Sequence, residues 1–308
     1  MNCTGRIYIK LFTVLFLTVS FCCSSVNVKP AGSLFPYDAV RPDAKYMLPG
    51  SLSEISGLAW FGNDTIFCVQ DEKARIYVFT LPEGNSGKFL DFSKDGDYED
   101  IASDGKNIYV LRSDGKIFTI SNIRSRQPEI LESKTPLSSI NNTEGLAWDE
   151  LSNGLLIACK GSPSLSPGSN SKNDERAVYR FDIAQQKLDP KPFFTINLKN
   201  PESFKSPSTY NEFIAIRKSF DFRYADFQPS AIAIHPVTGE IYVLSSTGKL
   251  VITADRAGKI LSFSFLNPKI FSQPEGLCFS PSGDMFISNE GRGGHGNILK
   301  YKPRTKSY

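Results

Sequence analysis

Five short runs in the chain place a hydroxyl or a carboxyl just ahead of an apolar stretch. They are Ser56-Gly57-Leu58-Ala59-Trp60, Glu99-Asp100-Ile101-Ala102-Ser103, Glu144-Gly145-Leu146-Ala147-Trp148, Ser230-Ala231-Ile232-Ala233-Ile234 and Glu275-Gly276-Leu277-Cys278-Phe279. Their starts lie 43, 45, 86 and 45 residues apart. If such a spacing brings Glu99, Glu144 and Glu275 to one axis, three carboxylates repel unless something compensates. Protons can be retained, Lys160 or Arg112 can pair with them, or a cation can sit among them. An all-oxygen ligand set suits calcium, which takes about six to eight oxygens. The same glutamates could instead cap neighbouring backbone N–H groups and cement repeat to repeat. No EF-hand loop or other contiguous calcium motif is present.

The elements that would position these groups follow from the repeat. Each run precedes a turn: Gly62-Asn63-Asp64, Asp104-Gly105, Ser152-Asn153-Gly154, Pro236 to Gly239, Pro281-Ser282-Gly283. A second apolar run follows (Ile66 to Val69, Ile108 to Leu111, Leu155 to Ala158, Ile241 to Leu244, Met285 to Ile287). Third runs stand at Arg75 to Phe79, Lys116 to Ile120, Ala177 to Phe181, Lys249 to Thr253 and Asn297 to Tyr301, and fourth ones at Lys88 to Phe92, Glu129 to Glu132, Pro192 to Ile196 and Ile260 to Phe265. Four short strands per repeat of roughly 40–50 residues are the signature of a β-propeller blade. The long third spacing reflects two insertions, Gly161 to Arg176 and Asn197 to Gln228, so the expected fold is all-β, a five-bladed propeller of four antiparallel strands per blade. The fifth repeat lacks its outer strand. Ala44 to Leu48 is placed to supply it and to close the ring, so truncating 44–48 is expected to destabilise far more than removing 24–40.

Strand direction then gathers the chemistry. Starts of the first strands (Ser56, Glu99, Glu144, Ser230, Glu275) and ends of the second (Asp71, Ser113, Lys160, Ser246, Glu290, with Arg112 and Asn289 beside them) fall at one mouth. Both insertions emerge there too, which makes that mouth the default site. The expected metal ligands are Glu99, Glu144 and Glu275. The expected ligand-binding groups are Ser56, Asp71, Arg112, Lys160, Ser230, Ser246 and Glu290. Trp60 and Trp148 occupy matching strand ends and are read as packing between blades.

Residues 1–23 read as an export signal: Arg6 and Lys10, then an apolar stretch from Leu11 to Phe21 that is too short to span a bilayer. Cys22 and Cys23, followed by Ser24-Ser25, give the end a lipoprotein character, with either thiol as the lipidation site. The expectation is an exported cell-envelope protein, lipid-anchored to a bacterial membrane and not spanning it. A tether over 24–43 and a single propeller domain over 44–308 complete the organisation. Without the leader the chain has 33 basic against 32 acidic residues, and with two histidines in all it offers neither a nucleic-acid footprint nor a histidine-built metal site. Cys68, Cys159 and Cys278 lie in apolar runs, as buried free thiols do.

Several runs resemble the SdiA-regulated (YjiK-like) family: Ser56 to Trp60, Val69-Gln70-Asp71-Glu72-Lys73, Asp97 to Ala102, Tyr109 to Gly115, Ala158-Cys159-Lys160-Gly161, Pro274 to Leu277 and Ser288-Asn289-Glu290. The resemblance spans about residues 44–302 and is to the exported, lipoprotein-type members. It implies a five-bladed propeller with a bound calcium ion, held here by Glu99, Glu144 and Glu275 by position. Ser230-Ala231 departs from the Ser-Gly pair typical of the family. No activity is established for that family, which is distantly similar to NHL-repeat propellers, some of them metal-dependent enzymes. The expected function is a calcium-binding envelope module for a small molecule or an envelope protein, acting as a monomer. The alternatives are a metal-dependent hydrolase of lactones or phosphoesters, and a purely structural ring without an ion.

Overall fold

The computed structural model describes residues 32–82, 84–166, 174–219 and 227–304. The first strand in the chain, β1 (Ala44–Met47), belongs to the last blade. Blade one is β2 (Ile55–Gly62), β3 (Thr65–Gln70), β4 (Arg75–Thr80) and β5 (Gly84–Asp91). Blade two is β6 (Tyr98–Ser103), β7 (Ile108–Arg112), β8 (Ile117–Ser121) and β9 (Glu129–Ser133). In blade three, β10 (Thr143–Asp149), β11 (Gly154–Cys159) and β12 (Arg176–Asp182) are followed by two short pieces, β13 (Lys187–Leu188) and β14 (Phe194–Ile196), that both pair with β12. Blade four is β15 (Ala231–Ile234), β16 (Ile241–Ser245), β17 (Leu250–Ala254) and β18 (Ile260–Phe265). Blade five is β19 (Pro274–Phe279), β20 (Met285–Asn289) and β21 (Asn297–Tyr301), completed by β1.

Contacts run from β2 to β6, β10, β15, β19 and back to β2, which closes a ring of five first strands. The chain is a five-bladed β-propeller. Blades packed face to face bury both sides of their middle strands, so these read as near-continuous apolar runs. Every residue of β11 (Gly-Leu-Leu-Ile-Ala-Cys) is buried, whereas β9 at the rim exposes Glu129, Ile130, Leu131 and Glu132. The tryptophans do bridge blades: Trp148 stacks on Tyr109 at 5.9 Å and Trp60 lies 5.7 Å from Phe286. The hairpin turn at Asn63 and Asp64 takes positive φ twice, as a right-twisted two-residue turn requires. Cys68, Cys159 and Cys278 are free and buried.

β1 pairs antiparallel with β21, Ala44 opposite Lys300 and Met47 opposite Asn297, the closure read from the repeat. The expected tether is corrected from residue 32 onward. Phe35, Tyr37 and Ala39 are buried in the core between blades four and five. Tyr37 forms a bridge with Pro303, and its hydroxyl donates to the Gly283 carbonyl at 2.7 Å. Aromatic side chains seeking cover outweigh the position after the leader that suggested a tether, so removing residues up to 40 strips core as surely as removing 44–48. The leader, Cys22 and Cys23 lie outside the described residues.

The second insertion reaches the mouth at its end, Gln228, but its helix lies elsewhere. Its helix α1 (Pro207–Ser219) packs against β18, with Phe213 5.2 Å from Phe263 and 5.6 Å from Phe265. It therefore covers the outer edge of blade four and not the mouth. Glu212 on this helix accepts the backbone N–H and hydroxyl of Ser33, tying the N-terminal segment to it. The start of the first insertion lies along the loop before β10, where Asn141 Nδ2 donates to the Ser162 and Ser164 carbonyls.

Candidate functional site: a charged mouth at one end of the channel

The glutamates owe their direction to β-bulges. The pairing register slips between Tyr98 and Asp100, between Thr143 and Gly145, and between Pro274 and Leu277. Glu99, Glu144 and Glu275 are thus the residues squeezed out of their ladders, and a bulge re-aims a side chain in this way. The equivalent slip in β2 is at Ser56. The repeat had marked the position; the bulge is why it points inward.

Ser56 and Ser230 are occupied by the fold. Ser56 Oγ donates to the Tyr98 carbonyl at 2.7 Å and Ser230 Oγ to the Pro274 carbonyl at 3.0 Å, each reaching the next blade. They cement blade to blade. Arg112 is likewise engaged, bidentate to Asp114 at 2.9 and 2.6 Å, so of the two cations weighed as partners for the glutamates it is not one.

Lys160 does. Its Nζ lies 2.9 Å from Glu144 Oε1, which also accepts from Asn142 Nδ2 at 2.8 Å. Burial opposes the lysine's charge, but Glu144, Glu275 and Glu99 more than offset this and hold its pKa above the usual value. The carboxyls respond in the opposite sense. Burial, with Glu144 and Asp97 adding repulsion, pushes Glu99 up to about 10. Burial and Glu144 push Glu275 up to about 7, against hydrogen bonds with Ser246 and Gln273. Glu290 is pushed up to about 8 by burial and by Glu275, Glu54 and Asp71. Glu144 and Asp71 are raised as well, by burial first. Protons and one lysine thus relieve the repulsion. Two buried acceptors, Asp71 Oδ1 and Asn289 Oδ1, receive no hydrogen bond from the described residues.

Among the described residues, no three His, Cys, Asp or Glu side chains are grouped so as to hold one metal ion. The donors are of the right chemistry for calcium, but Glu144 is taken by Lys160, and as placed the three glutamates do not fit a calcium cage.

Two features escaped the sequence reading. The first is a cleft of about 360 Å³ beside the glutamates, lined by Lys160, Gln228, Ser246, Lys249, Gln273, Glu275 and Arg292. The second is Asp100, which follows the bulge of β6 at a position held by Gly57, Gly145, Ala231 and Gly276 in the other blades. Its carboxylate lies at the channel axis, 1% exposed. It accepts the backbone N–H of Ile101 at 2.8 Å and of Leu146 at 2.7 Å, and those of Leu58 and Ile232 as well. Burial pushes its pKa well up and the four N–H groups pull it only part of the way back, so on balance it is raised; the geometry of its partners nevertheless speaks for the charged form. Four donors and no acceptor is the partner set of an ionised carboxylate. Glycine at position 57 is what makes room, since a Cβ there would stand 2.7 Å from Asp100 Oδ1. Beyond Asp100 the channel widens into an apolar end of about 150 Å³, walled by Leu58, Trp60, Leu146, Trp148, Ile234 and Phe279 among others.

No family profile matches this chain, and no curated protein does. Solved structures match widely. The glutaminyl cyclase of Myxococcus xanthus superimposes with a TM-score of 0.52 at 13% identity, over 85% of this chain and 95% of that one. A putative gluconolactonase gives 0.48 at 13% identity over 83% and 77%, and the PQQ-bound aldose sugar dehydrogenase of Streptomyces coelicolor 0.49 at 11% over 86% and 98%. At these identities the likeness shows the fold alone.

Proposed function

We propose that this propeller is a ligand-binding module whose site is the charged mouth, and that it receives a small polar ligand bearing a cationic group. The observation that carries this reading is the imbalance at the mouth. Asp71, Glu99, Glu144, Glu275 and Glu290 outnumber the cations, of which only Lys160 is ion-paired to any of them among the described residues, and Asp71 Oδ1 and Asn289 Oδ1 accept nothing from the described residues. A donor-rich cation meets both needs, and a carboxyl that releases its proton on binding adds attraction. The membership of the SdiA-regulated family, the export signal and the lipid anchor belong to the same proposal, supported by the repeats and by the first 23 residues.

Calcium, which the family resemblance implies, is the second reading. The donors are oxygens without histidine, but the ion would have to displace Lys160 from Glu144. A hydrolytic role has one supporting observation, the proton-holding Glu99 beside Glu144, a pairing suited to acid–base work. Calorimetric titration with methylammonium and with calcium separates these readings. Saturable methylammonium binding that weakens in Asp71→Asn and Glu99→Gln is expected, with a melting temperature indifferent to chelator. Tight calcium binding with a chelator-sensitive melt would replace the ammonium by the ion. Binding of neither would overturn the assignment of the mouth.

A further inference from the structure

The mouth is not uniformly acidic. Asp71, Glu54, Asp97 and Glu290 influence one another at the side formed by blades one, two and five. The cleft between blades four and five carries Lys249 and Arg292 instead, with Lys160 at its edge. Lys249 is the unusual one. It is only 9% exposed, and its Nζ donates to the Ser272 carbonyl at 2.8 Å. Among the described residues no carboxylate stands within ion-pair distance of it or of Arg292. A buried ammonium satisfied by one carbonyl retains donors to spare. Its backbone sits at φ +45°, a conformation that favours glycine or asparagine, so the turn after β16 carries lysine against local preference. Burial, with Arg292 adding to it, draws its pKa below the ordinary lysine value despite Glu275 and Glu290.

We infer that this cleft is an anion subsite, and that Lys249 and Arg292 hold the carboxylate of a ligand whose ammonium lies among the acidic residues across the mouth. The inference rests on the mouth being a ligand site, and it names the ligand class as a small zwitterion of amino-acid type. A singly charged carboxylate suits the cleft better than a phosphate dianion, because Glu275 lines the same space and repels a second negative charge. A volume of about 360 Å³ matches the lower range of small-molecule pockets.

The test is calorimetric and thermal titration of the protein with acetate, inorganic phosphate, methylammonium and ω-amino acids of increasing length, at constant ionic strength. Acetate is expected to bind saturably, and one ω-amino acid of matching length more tightly than acetate or methylammonium. Lys249→Met and Arg292→Gln should each weaken acetate at least tenfold and leave methylammonium unchanged. Arg292 sits in an exposed turn, so its variant keeps the test alive should Lys249→Met fail to fold. Methylammonium binding without acetate binding overturns the anion subsite and spares the mouth; binding of neither overturns both. Acetate binding that survives both substitutions, or a preference for phosphate, also overturns it.

Discussion

Asp100 is the residue on which the ring's centre turns, and replacing it separates two accounts of its charge. Its two oxygens take N–H groups from β2, β6, β10 and β15, that is, from four of the five blades. Asp100→Ala leaves four donors on the axis without an acceptor, in a place 1% exposed. Each such orphan costs about 1–3 kcal/mol before relaxation. Water entering the vacated space recovers part of this, so a loss of roughly 4–8 kcal/mol is expected, comparable to a whole domain's stability. Asp100→Asn is the sharper probe. Asparagine keeps the shape but turns an –NH₂ towards two of the N–H donors, so an ionised native carboxylate predicts a loss of about 3–5 kcal/mol, close to that of alanine. Urea unfolding followed by tryptophan fluorescence and far-UV dichroism measures both. An Asp100→Asn protein within about 1 kcal/mol of the parent would refute the reasoning, since a neutral acid is what an amide mimics.

Four further outcomes are expected. Gly57→Ala should cost about 1–3 kcal/mol in the same unfolding assay, because the added methyl meets Asp100 Cα and Oδ1 at 2.7 Å each. Tyr37→Ala should lower stability by about 3–5 kcal/mol, through lost aromatic packing against Tyr242 and Phe279 and the lost bond to Gly283; a neutral effect would return residues 32–43 to the status of a tether. Lys160→Met leaves Glu144, whose side chain is 7% exposed, without its cation, and the double variant with Glu144→Gln should recover most of the loss, a coupling visible in a double-mutant cycle. The pH dependence has a definite sign. Glu275 and Glu290 have folded pKa values of about 7 and about 8, above those of an unfolded chain, so their contribution is complete below pH 4.5 and fades as pH rises through 7 and 8. Melting temperatures between pH 5 and 9 should therefore fall less steeply in Glu290→Gln than in the parent.

The ring was legible because each blade repeats one pattern, and because β1 had an unfilled place beside β21. The bulged glutamates were legible too, as a column, since a propeller brings equivalent positions to one axis. Other features depend on partners that no spacing announces. Arg112 looked free at the mouth, yet Asp114 stands two residues away and takes both guanidinium contacts. Lys249 reads as the first residue of a strand, whereas in the fold it sits at positive φ in the turn before β17 and lines the cleft. Asp100 was hidden beside the conspicuous Glu99, though its presence in a column of Gly and Ala was the available signal. The helix α1 followed from neither repeat nor mouth, because its three buried residues, Thr209, Phe213 and Ile216, answer to the flank of blade four.

The clasp between β1 and β21 also fixes how the molecule responds to tension. The chain enters β1 at Ala44 and leaves β21 at Tyr301, and Ala44 lies opposite Lys300, so both ends depart from the same end of the ladder. Pulling the termini apart loads the hydrogen bonds one after another, by peeling, and not all together as shear would. The four paired positions therefore resist force weakly, and the contacts outside the clasp, Gly32 to the Phe263 carbonyl, Ser33 to Glu212 and the bridge of Tyr37 to Pro303, are loaded before them. A chain held by its N-terminus alone never applies this load, because its other end is free. Attached at both ends, the same ring would open at blade five while the other four blades stayed intact.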